Sequence, residues 1–198
     1  MKVLVACEYS GVVRNAFRSL GHDAWSCDIL DSDDNSPNHI KDDVLNHLES
    51  GWDLIIAHPP CTHISVAGAR WFKEKRESGV QKKGIEFFMK FTTLSCPRVA
   101  IENPVGVMSS IYKKPTQYIQ PYFFGDPVRK KTGLWLKGLP LLIPTNMVEP
   151  KLVVGKKGKI WDEWMYNSVY LPKEERGHYR SKTFQGIAEA MATQWGSL

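Results

Sequence analysis

The stretch KVLVACEYSGVVRNAF, residues 2–17, joins three elements of predicted structure in a fixed order. It begins with an apolar run typical of a buried strand, turns through a loop that contains Gly11, and continues as an amphipathic helix. This order brings a backbone loop and a helix N-terminus to the edge of a sheet, where a nucleotide-like ligand can approach. The loop carries a single glycine in place of a full glycine-rich fingerprint, so the motif is weak when taken alone.

The alternation of strand and helix continues through the first half of the chain. Further strands are predicted at 23–27, 53–57 and 98–102, and helices at 12–20, 42–50 and 84–94. Near-continuous apolar strands separated by helices indicate a mostly parallel sheet with helices on both faces. We therefore expect an α/β fold whose ligands bind beyond the carboxyl ends of the strands.

The second half of the chain has a different character, rich in Pro, Gly, Trp and Lys beyond about residue 115. Residues 116–124 and 131–138 are predicted to form the two arms of an antiparallel pair, followed by an irregular excursion from Pro140 to Ser181. A closing helix is predicted over 183–195, because its apolar positions fall on one face. These positions are Ile187, Ala190, Met191 and Trp195.

Composition indicates a soluble intracellular protein. The 198 residues include four cysteines without a CxxC pair, which favours reduced thiols and argues against a zinc site. The first apolar run is too short for a signal-peptide core, and no segment reaches the length of a membrane span. We therefore expect no metal and no membrane partner.

The charge of the chain is unevenly distributed. The net charge is +5, with an acidic stretch over 22–53 and basic clusters over 129–182. The acidic part could face a cationic small molecule and the basic part a polyanion. Ordinary solvated surface is the alternative, since many proteins that bind no nucleic acid carry basic patches.

Cys61 is the first candidate for chemistry. It follows Pro59 and Pro60, which stiffen the loop directly beyond the strand predicted at 53–57, and polar side chains surround it. These features favour a positioned thiol. The alternative is a small buried apolar side chain, the commoner state of a lone cysteine.

Glu102 and Asn103 end the next predicted strand. If that strand neighbours the strand before Cys61, the carboxylate lies beside the thiol, and partial burial is expected to raise the pKa of Glu102 toward that of a proton donor. The alternative is that Glu102 caps the following helix. Asp28 ends the second strand, where it could accept hydrogen bonds from ribose hydroxyls.

In this order, the segments resemble the DNA cytosine-5 methyltransferase family over nearly the whole chain. The cysteine that follows Pro59 and Pro60 and the Glu102–Asn103 pair are the most specific matches. The matching segments are ACEYSGVV (6–13), SCDI (26–29), KDDVL (41–45), HPPCTHISVAG (58–68), RVAIENPVG (98–106) and FQGIAEAMATQW (184–195).

The resemblance implies a Rossmann-like, S-adenosylmethionine-dependent methyltransferase fold that acts on cytosine in DNA. Cys61 would add to carbon 6 of the base, Glu102 would protonate ring nitrogen 3, and Asn103 would shape the pocket. Because carbon 5 is hidden in a duplex, the base must be flipped out or presented single-stranded.

The resemblance also assigns binding residues. Those implied for S-adenosylmethionine are Glu8, Tyr9, Ser10, Gly11, Asp28, Ile29, Asp43 and Pro59. Basic side chains that we expect to contact DNA are Arg70, Lys73, Arg129, Lys130, Lys156 and Lys157.

The chain departs from the family in three respects. The usual Gly-Gly of the cofactor loop is Gly11-Val12, and the double-arginine motif is replaced by VRKKTGLWL (128–136), where only Arg129 and Lys130 are candidates. Only residues 140–181 stand where sequence-reading members carry a substantial recognition domain, so a small phage-type enzyme with weak sequence specificity is expected. The resemblance implies a role in restriction-modification and, if the protein is phage-encoded, a place in the cytoplasm of a bacterial host.

The expected organisation has three parts. Residues 1–139 form a catalytic and cofactor-binding domain, 140–181 a small irregular basic recognition-like segment, and 182–198 a closing helix that packs back on the catalytic domain. Two other functions stay open: the same fold acting on a free pyrimidine nucleotide or making another carbon 5 modification, and a catalytically silent DNA-binding protein.

Overall fold

A seven-stranded sheet organises the fold in the computed structural model, which describes residues 1–155 and 158–198. Two expected DNA contacts, Lys156 and Lys157, lie outside the described residues. The strands are β1 (Lys2–Ala6), β2 (Asp23–Asp28), β3 (His39–Lys41), β4 (Leu54–Ala57), β5 (Val99–Pro104), β6 (Gln117–Ile119) and β7 (Thr132–Lys137). Their order across the sheet is β3-β2-β1-β4-β5-β7-β6.

Helices and one hairpin complete the described structure. The helices are α1 (Val12–Ser19), α2 (Phe72–Glu77), α3 (Val80–Lys90), α4 (Met108–Ile111), α5 (Glu163–Ser168), α6 (Lys173–Ser181) and α7 (Gln185–Trp195). Short 3₁₀ turns lie at Val44–Asn46, Val66–Trp71, Phe91–Thr93 and Pro121–Phe123. Strands β8 (Leu152–Val154) and β9 (Ile160–Asp162) pair antiparallel outside the main sheet. Within the described ranges, no helix has the length and apolar character needed to cross a membrane.

The strand directions confirm the expected α/β fold with a mostly parallel sheet. Strands β1 to β5 run parallel to one another, whereas β7 runs antiparallel to both β5 and β6. The β6–β7 pair also confirms the antiparallel arms predicted over 116–124 and 131–138. Because five strands share a direction, their carboxyl ends meet at one edge of the sheet.

Both faces of the central strands are covered, which explains their continuous apolar runs. Alternate residues of β1 face opposite sides: Val3 and Val5 pack in the core with α1 and α7, and Leu4 packs in the core with α3. The closing helix is confirmed, and its four predicted apolar residues are buried. The indole Nε1 of Trp195 donates to the carbonyl of Pro140 at 3.0 Å.

Two predictions about secondary structure are wrong. Residues 42–50 do not form a full helix, because Asp43 accepts a hydrogen bond from the N–H of Leu45 and Asp42 accepts from the Asp43 N–H, the Asn46 side chain and His47. Such local bonds compete with helical ones, and only the turn Val44–Asn46 remains. The segment 140–181 is also not irregular, because it contains β8, β9, α5 and α6.

A buried arginine ties α1 to the loop after β2. The Arg14 side chain is 0% exposed, donates to the hydroxyls of Ser26 at 2.7 Å and Ser32 at 3.4 Å, and forms an ion pair with Asp34. Gly11 has a φ of 72°, and a Cβ at this position would collide with the guanidinium group. Arg14 therefore requires glycine at residue 11 and holds the loop between β2 and β3 in place.

Replacing Arg14 with Met should lower the free energy of unfolding by about 3 kcal/mol, because it removes the buried cation that joins the hydroxyls of Ser26 and Ser32 to the Asp34 carboxylate. Urea denaturation at neutral pH measures this change. Arg18→Met on the exposed side of the same helix is the matched control and should cost well under 1 kcal/mol. Equal stability of the two variants would contradict a structural role for the buried network.

Candidate active site

A pocket opens at the carboxyl edge of the sheet, where the loops after β1 and β4 meet the end of β5. Its opposite wall is built by Lys130, by the last residues of α6 and by the residues that follow them. The lining residues are Cys7, Glu8, Tyr9, Ser10, His58, Pro59, Pro60, Cys61, Glu102, Asn103, Pro104, Lys130, Arg180, Ser181, Lys182 and Thr183. The structure thus brings together all three residues expected to be catalytic.

The pairing of β4 with β5 places Cys61 beside Glu102. Ala57, the last residue of β4, lies opposite Ile101 of β5, so the residues that follow them share one edge of the sheet. The buried side chain of Asn103 donates from Nδ2 to the carbonyl of Pro59 at 2.7 Å, which fixes the loop of Cys61 against β5. The expected adjacency of the two strands is confirmed.

Glu102 lies within β5, where it pairs with Leu134 of β7, so it does not cap a helix. Its Oε2 atom lies 3.0 Å from Nδ1 of His58. Burial raises the pKa of Glu102, but the hydrogen bond and charge of His58 and the charge of Lys130 outweigh it and leave the pKa below its ordinary value. The expectation of a raised pKa is therefore wrong, because it considered burial without the partners.

The Cys61 thiol is not activated in the free protein. Burial, and next the negative charge of Glu102, raise the pKa of Cys61, while the charge of Lys130 acts in the opposite direction. A thiol with a raised pKa is protonated at neutral pH. A reaction through Cys61 therefore needs deprotonation when the substrate binds.

Lys130 is a pocket residue, in contrast to the other described candidates for DNA contact. Its Nζ donates to the carbonyl of Arg180 at 3.0 Å and lies 5.8 Å from the ring centroid of Trp164 and 5.6 Å from that of Phe184. These contacts hold the ammonium group at the wall of the pocket. Among the described cations that line the pocket, Lys130 is the one whose charge acts on both Cys61 and Glu102.

The other basic candidates lie outside the pocket. Arg70 and Lys73 are exposed on the segment after the Cys61 loop, and Arg129 is exposed with its backbone N–H bonded to Asp162 at 2.6 Å. The structure thus separates these side chains from the candidate catalytic residues.

The expected cofactor loop forms the near wall of the pocket. Glu8 is buried, and its carboxylate accepts hydrogen bonds from the N–H groups of Val13 at 2.7 Å and Arg14 at 3.2 Å. It therefore satisfies donors at the start of α1, and burial raises its pKa. Tyr9 and Ser10 line the pocket beside Glu8.

The remaining residues expected to bind cofactor lie at the same sheet edge but do not line this pocket. Asp28 ends β2, where its Oδ1 accepts from the N–H of Leu30 at 3.0 Å, and burial raises its pKa. Ile29 is 71% exposed, and Asp43 caps a 3₁₀ turn. The charges of Asp28 and Asp43, after burial, raise the pKa of Cys7, which lines the pocket, so the two carboxylates lie near its boundary.

Residues 178–183 form a wall that sequence reasoning missed; we call them the crossing segment. The Tyr9 hydroxyl hydrogen-bonds to Ser181, and its ring lies 4.8 Å from that of His178. Asp33, in the loop after β2, pairs with His178 at 3.2 Å and Lys182 at 2.8 Å. These contacts join residues that are far apart in sequence, so no local pattern could have predicted them.

His58 is the second residue that sequence reasoning missed. Its position directly after β4 and before the two prolines was a usable signal, because the carboxyl end of a parallel strand is where functional side chains collect. No group of three or more His, Cys, Asp or Glu side chains in the described part of the chain is arranged to hold a metal ion.

Comparisons with known proteins show the fold. No protein-family model and no curated protein matches the sequence. Among solved structures, one similar chain is assigned as a DNA modification methyltransferase encoded within a prophage (E. coli), with a TM-score of 0.51 and 15% identity over 87% of this chain. A second is the Entamoeba histolytica methyltransferase EhMeth, with a TM-score of 0.50 and 14% identity over 77% of this chain. This protein therefore has a Rossmann-like fold that is also found in methyltransferases.

The two similar structures are longer than this protein. The matched region covers 56% of the prophage-encoded chain and 58% of the Entamoeba chain. This protein thus spans a little over half the length of each.

The rate at which iodoacetamide alkylates Cys61 should depend on the charges of Glu102 and Lys130. At about pH 8, Glu102→Gln should speed the reaction severalfold, because it removes a charge that disfavours the thiolate, and Lys130→Met should slow it. Peptide mapping by mass spectrometry isolates Cys61 from the other three thiols, whose pKa values burial also raises. Unchanged rates in both variants would show that neither charge acts on the thiol.

Proposed function

We propose that the protein is a DNA (cytosine-5-)-methyltransferase that transfers a methyl group from S-adenosylmethionine through a covalent adduct on Cys61. The observation that carries this proposal is the meeting of Cys61, Glu102 and Asn103 in one pocket beside the loop after β1. The fold supports methyl transfer, because both similar structures are described as methyltransferases. The wording "DNA modification" for the prophage-encoded chain favours DNA as the substrate.

The residues present fit S-adenosylmethionine. Gly11 allows the tight turn before α1, and Tyr9, Ser10 and Pro59 line the pocket next to it. Asp28, at the end of β2, would accept hydrogen bonds from the ribose. When bound, the cofactor supplies an electrophilic methyl group attached to a sulfonium sulfur.

Glu8 and Asp43 would contribute to S-adenosylmethionine binding less directly than the resemblance implies. The Glu8 carboxylate is committed to the N–H groups at the start of α1, so we propose that it shapes the loop. Asp43 is committed to its own turn, while its exposed side chain stays close to the same sheet edge. Ile29 is exposed beyond β2, where it could cover an adenine ring.

The chemistry needs both Cys61 and Glu102. Carbon 5 of cytosine is a poor nucleophile until a thiolate adds to carbon 6 and converts the ring to an enamine. Cys61 would form that bond after its thiol proton has passed to solvent, and proton transfer to ring nitrogen 3 in the Glu102 subsite would neutralise the developing charge. After methyl transfer, loss of the carbon 5 proton to solvent would expel the Cys61 thiolate, and ring nitrogen 3 would return its proton in the Glu102 subsite, which leaves the neutral aromatic base.

Nucleic acid would reach the pocket from the side of the exposed basic residues. Arg70 and Lys73 follow the Cys61 loop directly, and Arg129 adjoins the pocket residue Lys130. Phosphate contacts of this kind position DNA without reading its sequence. A DNA substrate is consistent with action in the cytoplasm of a bacterial cell or of a phage-infected host.

A free pyrimidine nucleotide is the second candidate substrate. The observation in its favour is the crossing segment, which closes one side of the pocket and adds Arg180 and Lys182 to its lining. A cationic, partly closed pocket suits a single nucleotide as well as a flipped base.

Cys61→Ser should abolish methyl transfer, with a loss of at least about 10³-fold, because a serine hydroxyl is far less nucleophilic than a thiolate. Transfer of labelled methyl groups to DNA and to dCMP measures the loss and identifies the substrate. Only protein with Cys61 should form a covalent adduct on DNA that contains 5-fluorocytosine. Cys96→Ser, which changes a buried thiol that does not line the pocket, is the matched control; normal turnover by Cys61→Ser would refute the mechanism.

DNA binding should weaken steeply as salt concentration rises and should differ little between unrelated sequences. The double variant Arg70→Gln/Lys73→Gln should reduce the slope of log K against log salt by about 1–2. Lys90→Gln, another exposed cation that ends α3, is the control and should leave the slope unchanged. Fluorescence titration at two salt concentrations tests this, and salt-independent or undetectable binding would favour the free nucleotide as substrate.

A further inference from the structure

The imidazole of His58 lies at the wall of the pocket next to the candidate proton-transfer group. Its Nδ1 atom lies 3.0 Å from Oε2 of Glu102, and the two side chains are only 11% and 18% exposed. The other ring nitrogen, Nε2, is buried and has no hydrogen-bond partner among the described residues. A histidine kept only for packing would normally have both nitrogens satisfied.

Charged groups act on this part of the pocket from three sides. Glu102 approaches from β5 and Glu8 from the loop after β1, and the charge of His58 opposes the effect of burial on both carboxyl groups. Lys130 approaches from the loop before β7 and also acts on Glu102. Cys61 follows in the same loop as His58. The imidazole therefore lies against the Glu102 carboxyl group, and its charge also acts on Glu8.

We propose that His58 is a positioning residue that orients the Glu102 carboxyl group and supplies, through it, the proton taken up by the ring nitrogen of the target pyrimidine. This inference rests on the proposed function, because it assigns the source of a proton in that reaction. It concerns a residue that the resemblance leaves without a role.

Glu102 can pass a proton to the substrate only if a neighbouring group supplies one. Its partners keep the carboxyl group ionised at neutral pH, and a carboxylate has no proton to donate. The hydrogen bond from His58 places an N–H within direct reach of Oε2, so an imidazolium at this position is a proton source.

The proton balance closes within the pair. The N–H bond at Nδ1 breaks, its electron pair stays on the imidazole, and an N–H bond forms at the ring nitrogen of the substrate. Glu102 relays the proton and carries the same negative charge before and after the step. The positive charge of His58 is lost as the negative charge on the pyrimidine, created by addition of the thiolate, is neutralised.

The variant His58→Asn distinguishes the two roles of His58, which are to orient the Glu102 carboxyl group and to supply a proton through it. The amide nitrogen of Asn can replace Nδ1 as a donor to Glu102, but it cannot release a proton in the working pH range. We expect turnover to fall by about 10–100-fold and the alkaline limb of the kcat profile to move to lower pH. The limb should move because a carboxyl group releases its proton at lower pH than an imidazole.

The controls keep this test independent of folding. His22→Asn makes the same change beside the chain's amino terminus, and its kcat profile should match that of the unmodified protein. If His58→Asn is poorly folded by circular dichroism, His58→Gln replaces it. An unmoved alkaline limb, with or without a lower kcat, would overturn proton supply by His58.

A titration without substrate distinguishes failure of this inference from failure of the proposed function. With ¹³C-labelled glutamate, the carboxyl resonance of Glu102, assigned with Glu102→Gln, reports its ionisation in the full-length protein. In His58→Ala the pKa of Glu102 should rise, because burial then acts without the hydrogen bond and charge that oppose it. An unchanged titration would overturn the inference. If the pKa of Glu102 rises as expected but the unmodified protein methylates no pyrimidine, the interaction between His58 and Glu102 is supported and the proposed function is refuted.

Discussion

The parallel register between β4 and β5 is the constraint on which the candidate site depends. It sets Ala57 opposite Ile101, so that the loop carrying Cys61 and the carboxyl end of β5 start from the same level of the sheet. The Asn103 side chain then fixes that loop through the carbonyl of Pro59. A slip of one residue would turn Glu102 to the opposite face of β5 and remove the carboxyl group from the pocket. The buried apolar residues of both strands, which pack on both faces of the sheet, prevent such a slip.

The carboxylate of Glu102 and the thiolate of Cys61 repel each other in the pocket, and the positive charge of Lys130 reduces the effect of this repulsion. Glu102 disfavours the thiolate of Cys61, while the same carboxylate is needed beside the base. The charge of Lys130 lowers the pKa of both Cys61 and Glu102. Contacts with Trp164, Phe184 and the carbonyl of Arg180 hold its ammonium group in place. The contacts of this one ammonium group therefore connect the segment 140–181 to the chemistry of the sheet edge.

The sequence predicted most of what depends on local pattern. Apolar runs identified β1, β2, β4 and β5, and the spacing of apolar residues identified α1 and α7. The positions of Cys61 and Glu102 at the ends of two such runs predicted that they meet on condition that the two strands are neighbours, and the pairing of β4 with β5 meets that condition. Local pattern did not predict the conformation of residues 42–50, because side-chain carboxylates there accept hydrogen bonds from backbone N–H groups. It also failed for the pKa of Glu102, because the partners His58 and Lys130 come from other elements and only the fold brings them together.

The crossing segment follows the strands of the main sheet in the sequence, which has a consequence for biosynthesis. All five parallel strands have been synthesised by Pro104, but α7, which covers one face of the sheet, and the wall that meets Tyr9 emerge from the ribosome later. Until then, the apolar residues that α7 covers, including Val3 and Val5, lack part of their packing. The nascent protein therefore depends on protection of that face, and its pocket is completed only after the crossing segment has been synthesised.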